Sequence, residues 1–214
     1  MIGPVLLLWM SACFPPTMMG FHSDGLVVGP DRSELLVTVG EARIQGDRFT
    51  GVGSAGEVGL GERTSIGVRA WLYDLDELSP FMGTVEIRRQ VGRLGEMDCL
   101  ALVGAGGILG DELLTPAVHA GGVCGWKLAL GLRAHVGLAV NPVLGDPFIA
   151  FGSGAIGLTW KPPDIWWSIG ETLPISNKAY GPIFRLEAGM MGAMDGKGDA
   201  GMGAGGIGSV GLRF

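Results

Sequence analysis

Leu128–Val140 reads LALGLRAHVGLAV. Every second residue is apolar: Leu128, Leu130, Leu132, Ala134, Val136, Leu138 and Val140. Between them stand Ala129, Gly131, Arg133, His135, Gly137 and Ala139. A period of two puts the first set on one face of an extended strand and the second on the other. One face is continuously apolar and the other small or charged. Such a strand is suited to lipid on one side and a wet, crowded lumen on the other.

Composition points the same way. Of 214 residues 40 are Gly, 47% are hydrophobic and only 17% are charged. Gly far above the usual ~7% with no G-X-Y period excludes collagen. A mean hydropathy of +0.39 argues against a disordered chain. Net charge is −6 with the basic residues scattered, so no nucleic-acid footprint is present. After residue 20, charged residues or Gly interrupt every stretch before the ~18 apolar residues that a helical span needs. A membrane reading therefore rests on alternation.

That alternation recurs from Glu34 in segments of about ten residues separated by short turns. They are Leu35–Ile44, Phe49–Leu60, Thr64–Tyr73, Gly83–Leu94, Asp98–Leu109, Pro116–Lys127, the opening stretch, Phe148–Lys161, Ile165–Ile175, Pro182–Ala193 and Met202–Phe214. An even number is the rule for single-chain bacterial barrels, so eleven segments imply ten or twelve strands. The Trp126-Lys127 boundary is the least secure. Trp160, Trp166 and Trp167 read as an interfacial aromatic belt, or as a local cluster over a loop. The expected fold is all-β, a closed antiparallel up-and-down transmembrane β-barrel of about 10–12 strands over residues 34–214.

The chain opens with an apolar core, Val5–Met10, followed by Ser11, Ala12 and Cys13. This has the form of a secretory signal. Met10-Ser11-Ala12-Cys13 resembles the lipobox of bacterial lipoproteins, which implies a signal over 1–13 and acylation of Cys13. It departs from that pattern in having Met10 and no Lys or Arg before Arg32. Residues 14–33, with Pro15, Pro16, Gly20, Gly25, Gly29 and Pro30, read as a linker. At the other end Val210, Leu212 and Phe214 alternate with Ser209, Gly211 and Arg213. This resembles the C-terminal signature of bacterial outer-membrane β-barrel proteins, which implies recognition by the barrel-assembly machinery and residence in the outer membrane among its lipids. Cys99 and Cys124 would then lie in an oxidising compartment, where a disulfide is possible.

The chemistry is sparse. Gly51–Gly56, Gly152–Gly157 and Gly201–Gly206 fit GxGxxG, but strands flank each one, whereas a dinucleotide site needs a strand before and a helix after. No zinc pattern is present, and Asp195 and Asp199 lack calcium-loop spacing; Asp74, Asp76 and Glu77 read as a solvated turn. No cofactor or catalytic constellation is indicated. By alternation Glu57, Arg69, Glu86, Arg88, Arg133, His135, Arg185, Glu187 and Arg213 point into the lumen. Charges in a narrow lumen should pair. The expectation is a structural envelope protein with a salt-bridged plug, or a small pore whose charges set ion preference. Two alternatives remain. One is a lipoprotein subunit with envelope protein partners, for which Arg89 on the apolar face leaves room. The other is an outer-membrane hydrolase with His135 as base, although no nucleophile stands near it in sequence. His22 and His119 have no evident partners. If the lipobox is read in the cell, labelled fatty acid is incorporated by the natural chain and lost in Cys13→Ala; label retained by Cys13→Ala overturns acylation at this residue.

Overall fold

The computed structural model describes residues 21–44, 47–74, 81–109, 114–144, 149–162, 181–195 and 200–214. Cys13, Trp166, Trp167, Asp76, Glu77, Asp199 and the segment 165–175 lie outside these. The described chain forms ten strands: β1 Ser33–Ile44, β2 Asp47–Gly61, β3 Thr64–Asp74, β4 Phe81–Leu94, β5 Met97–Leu109, β6 Leu114–Ala129, β7 Leu132–Val143, β8 Ile149–Trp160, β9 Gly181–Asp195 and β10 Ala200–Arg213. Each pairs antiparallel with its neighbour in sequence, and β10 pairs with β1 to close the barrel. The three GxGxxG matches lie inside β2, β8 and β10.

The pairing fixes the shape of the barrel. Cα partners followed once round from Leu132, through Trp160, Phe184, Val210, Val37, Ser54, Ala70, Gly83, Gly107 and Pro116, return to β7 at Leu144, twelve residues further along. Ten strands with that stagger tilt by roughly 40° from the barrel axis. At ~3.3 Å per residue the strands then stand high enough to carry an apolar band of about 25 Å.

The two faces follow the alternation. Outside stand Val37, Val39, Val85, Ile87, Val103, Leu138, Val140, Ile156, Leu186, Val210 and Leu212, all well exposed. Trp160 and Phe184 stack on this outer face with ring centroids 5.5 Å apart. Inside, Arg69, Glu86, Arg88, His135, Arg185 and Glu187 are almost wholly buried.

The turn after β6 lies at Leu130-Gly131 rather than at Trp126-Lys127, so the stretch Leu128–Val140 is not one strand. Leu128 and Ala129 finish β6, and β7 starts at Leu132. Gly131 takes φ +76°, a left-handed conformation that glycine adopts without a Cβ penalty. Two turn residues alone would reverse the parity, because the flanking Ala129 and Leu132 are partners on one face; a register shift between Lys127 and Ala129 restores it, so the alternation runs through the hairpin unseen. The linker reading of 14–33 also changes in its described part. Phe21, His22, Ser23, Asp24 and Val28 are buried, because this segment turns back into the barrel it precedes.

Cys99 and Cys124 are Cα partners on β5 and β6 and are joined by a disulfide. A cross-link spanning 25 residues stabilises by about 3 kcal/mol, chiefly through the unfolded chain. Reduction, or Cys99→Ser, should therefore lower the midpoint of heat-modifiable gel migration by roughly 6–12 °C. An unchanged midpoint would show that the bond adds nothing.

Candidate functional site

The site is the lumen together with the segment 21–32 that enters it. A chain without strand neighbours carries backbone N–H and C=O groups that must find partners when buried. Here the inward side chains supply them. Glu187 Oε2 accepts from Phe21 N at 2.6 Å, and Glu57 Oε1 accepts from Val28 N at 3.0 Å. Arg88 donates to the carbonyls of Phe21 and His22 at 3.1 and 3.0 Å. Gln90 accepts from Val27 N at 3.3 Å and donates to Gly25 O at 3.1 Å. Arg133 donates to Asp24 O at 3.3 Å.

Three inward glycines leave room for this path. A Cβ on Gly59 would collide with the carbonyl of Gly29, and one on Gly125 with that of Asp24. On Gly137 it would lie 2.7 Å from the ring of Phe21. That ring also packs with Leu100, Leu102, Val123, Ala139 and Ala155.

The charges around the segment form three groups. In the first, Glu86 pairs with both Arg69 and Arg88 and accepts a hydrogen bond from His119 Nε2 at 2.8 Å. Arg88 also pairs with Glu57, which accepts from Ser65 Oγ at 2.6 Å. In the second, His135 Nε2 donates to Glu187 at 3.1 Å while Arg185 donates to Thr159 at 2.9 Å. A Cβ on Gly157 would strike the His135 ring, so the neighbouring strand leaves that ring its slot. In the third, at the mouth, Lys161 bridges Asp24 at 3.2 Å and Glu34 at 2.7 Å. Arg133 there reaches Asp98 at 3.0 Å, and Arg93 joins Asp98 at 2.9 Å.

Eight of the nine residues expected in the lumen thus sit in these groups. Arg213 lies half-buried at the closing end of β10, its Cα paired with that of Glu34. His22, Asp24, Glu34, Gln90, Asp98, His119 and Lys161 belong to the site and escape the alternation reading. His119 shares its parity with Ala117 and Val123 across a face that looks apolar throughout, and only the pairing with β5 sets it beside Glu86. Asp24 and Lys161 lie outside the strands, where a period of two says nothing. Among the described residues no three His, Cys, Asp or Glu side chains gather as a metal site.

His22 sits at the inner end of the segment. Its Nε2 lies 3.3 Å from Thr38 Oγ1, its ring is 5.8 Å from that of Trp71, and its φ of 50° is left-handed. Burial pushes its pKa down from 6.5 to about 3, with Glu187 opposing and Arg69, Arg185 and Arg88 reinforcing. Burial works against the charge of Asp24, yet Lys161, Arg185 and Arg133 hold its carboxyl well below the usual range.

These features define a ten-stranded barrel with an apolar exterior and a lumen occupied by its own chain. No protein-family model and no curated protein matches the sequence. Among solved structures, the chain is similar to the β domain of the Bordetella autotransporter BrkA, with 10% identity over 85% of this chain and 98% of that one and a TM-score of 0.45. It is also similar to the translocator domain of the autotransporter NalP from Neisseria meningitidis, with 15% identity over 86% of each chain and a TM-score of 0.37. The outer-membrane protease OmpT from Escherichia coli is 8% identical over 86% of this chain and 97% of that one, with a TM-score of 0.38. The barrel assignment rests on the strand pairing and not on these likenesses.

Docking of the segment depends on pH in a definite direction. Docked His22 stays neutral down to about pH 3, whereas the released ring takes up a proton near 6.5. Acidification between those values therefore favours release, by about tenfold per pH unit. Asp24 stabilises docking above its ordinary pKa of 3.8 and that support fades as pH falls further. Hydrogen exchange at residues 21–28, corrected for intrinsic rate, should accelerate on going from pH 7.5 to 5 in the natural chain and much less in His22→Phe. Equal acceleration in both would show that His22 does not govern docking.

Proposed function

We propose that this chain is an outer-membrane β-barrel that acts as a structural envelope protein, its lumen closed by residues 21–32. The observation that carries this reading is the set of hydrogen bonds from Glu187, Glu57, Arg88, Gln90 and Arg133 to the backbone of 21–28. A lumen evolved only to pass ions would leave such groups to water. Here they hold a polypeptide.

Three further features support the membrane and its side. The outer face presents Val, Leu, Ile and Met in a continuous band, for which lipid is the fitting solvent. The Cys99–Cys124 bond belongs to an oxidising compartment such as the periplasm. Strand β10, running into Phe214 and pairing with β1, is the segment that the assembly machinery would read before the barrel closes. The small-pore reading becomes a second state of the same molecule. The contacts at the segment are polar and individually modest, so its departure leaves a lumen lined by both signs of charge.

In planar lipid bilayers the intact chain should pass no steady current. A Gly137→Val and Glu187→Ala double variant, which crowds Phe21 and removes the acceptor for its N–H, should conduct. Steady conductance from the intact chain overturns the closed reading. A chain that stays folded and monomeric in buffer without detergent overturns the membrane reading.

A further inference from the structure

The outward face carries one charge that the apolar band does not explain. Arg89 lies on β4 with Ile87 and Val91 as outward neighbours, all three exposed. Its Cα partners are Thr64 at the start of β3 and Ala101 on β5. Arg63, in the adjoining β2–β3 turn, is tied to the same place because its carbonyl accepts from Gln90 N at 2.9 Å. Both guanidinium groups are exposed, and neither has a carboxylate partner among the described residues. Among the exposed arginines on the strands, Arg43 and Arg48 pair with Glu41 and Arg93 with Asp98, while Arg32 lies before β1.

Position along the barrel narrows what these two can meet. Six strand steps in the pairing lead from Trp160 to Gly83, and Arg89 lies six residues back from Gly83 toward the end where β1 begins. With the tilt above, the two displacements nearly cancel and place Arg89 within about 5 Å of the level of Trp160. The stacked Trp160–Phe184 pair and the outward C-terminal Phe214 mark that level as the aromatic edge of the apolar band. An arginine at the edge of a hydrocarbon layer turns its head toward the headgroups, and a planar fork there matches phosphate oxygens.

We propose that Arg63 and Arg89 form a binding site for the phosphate of an anionic glycerophospholipid in the leaflet at this end of the barrel. The inference rests on the membrane reading above. Thr64, whose Cα pairs with that of Arg89, contributes a hydroxyl beside the same spot. The small side chain of Ala101 leaves the flank toward β5 open. Two fixed positive charges favour a lipid with net negative charge over a zwitterionic one, in which a choline cancels the phosphate.

The test uses the full chain in bilayer nanodiscs of phosphatidylcholine, with or without phosphatidylglycerol, and reads the unfolding midpoint together with lipid retention by native mass spectrometry. Phosphatidylglycerol should raise the midpoint of the natural chain by about 2–4 °C and one molecule should stay bound. Both effects should vanish in Arg63→Ala with Arg89→Leu. Arg89→Leu suits a lipid-facing position, so that variant should fold at least as well as the natural chain in pure phosphatidylcholine. Arg63→Lys with Arg89→Lys should keep part of the gain. An equal gain in the Ala/Leu variant overturns the proposal, as does displacement of the bound lipid by millimolar inorganic phosphate, which would mark a small-anion site. Failure of the natural chain to enter nanodiscs at all overturns the membrane reading and this site with it. Insertion without lipid discrimination overturns this site alone.

Discussion

The backbone of residues 21–28 has no strand beside it, and the structure depends on how that is resolved. Inside a closed barrel every strand has spent its own N–H and C=O groups on its neighbours, so the incoming segment must be met by side chains. Glu57 and Glu187 accept, Arg88 and Arg133 donate, and Gln90 does both. Those carboxylates and guanidiniums are tolerable at that depth only because they also neutralise one another. Glu86 lies between two arginines, and His119 and His135 each donate a hydrogen bond to a carboxylate. The charge network and the segment are thus parts of one arrangement. Removing Glu57 would leave the Val28 N–H unpaired and take one of two carboxylates from Arg88.

Much of the barrel is legible in the order of residues. Period-two alternation reports which face each side chain takes, and it does so for Val37 or Leu138 without any knowledge of the neighbours. It cannot report where a hairpin turns when a bulge cancels the parity change of a two-residue turn, as the register shift between Lys127 and Ala129 does beside Leu130-Gly131. Nor can it see what enters the lumen. Proline and glycine between 14 and 33 argue against regular structure there, and rightly so for 21–32. A segment without regular structure can still be deeply buried when its partners lie on β2, β4, β7 and β9, tens to more than a hundred residues away.

The site shows the same division. Arg69, Glu86 and Arg88 are marked by charge on an otherwise small or apolar inner face. Their arrangement is not, since it depends on a register that joins β3, β4 and β6. His119 stands out least in sequence, yet it meets both Glu86 and Arg69. Cys99 and Cys124 are likewise two isolated residues until the β5–β6 register makes them direct partners.

The abundance of glycine acquires a specific meaning from the path of the segment. A ten-stranded barrel is narrow, and its interior is normally filled by the side chains of its own wall. Here the wall gives up side chains at Gly59, Gly125 and Gly137 where a second layer of polypeptide passes, and at Gly157 where an imidazole from the next strand lies across. Glycines such as Gly61 and Gly152 touch nothing and owe their place to something else. Composition in this chain is therefore partly a cast of the lumen's contents. At these positions the missing Cβ atoms trace the outline of what the barrel encloses.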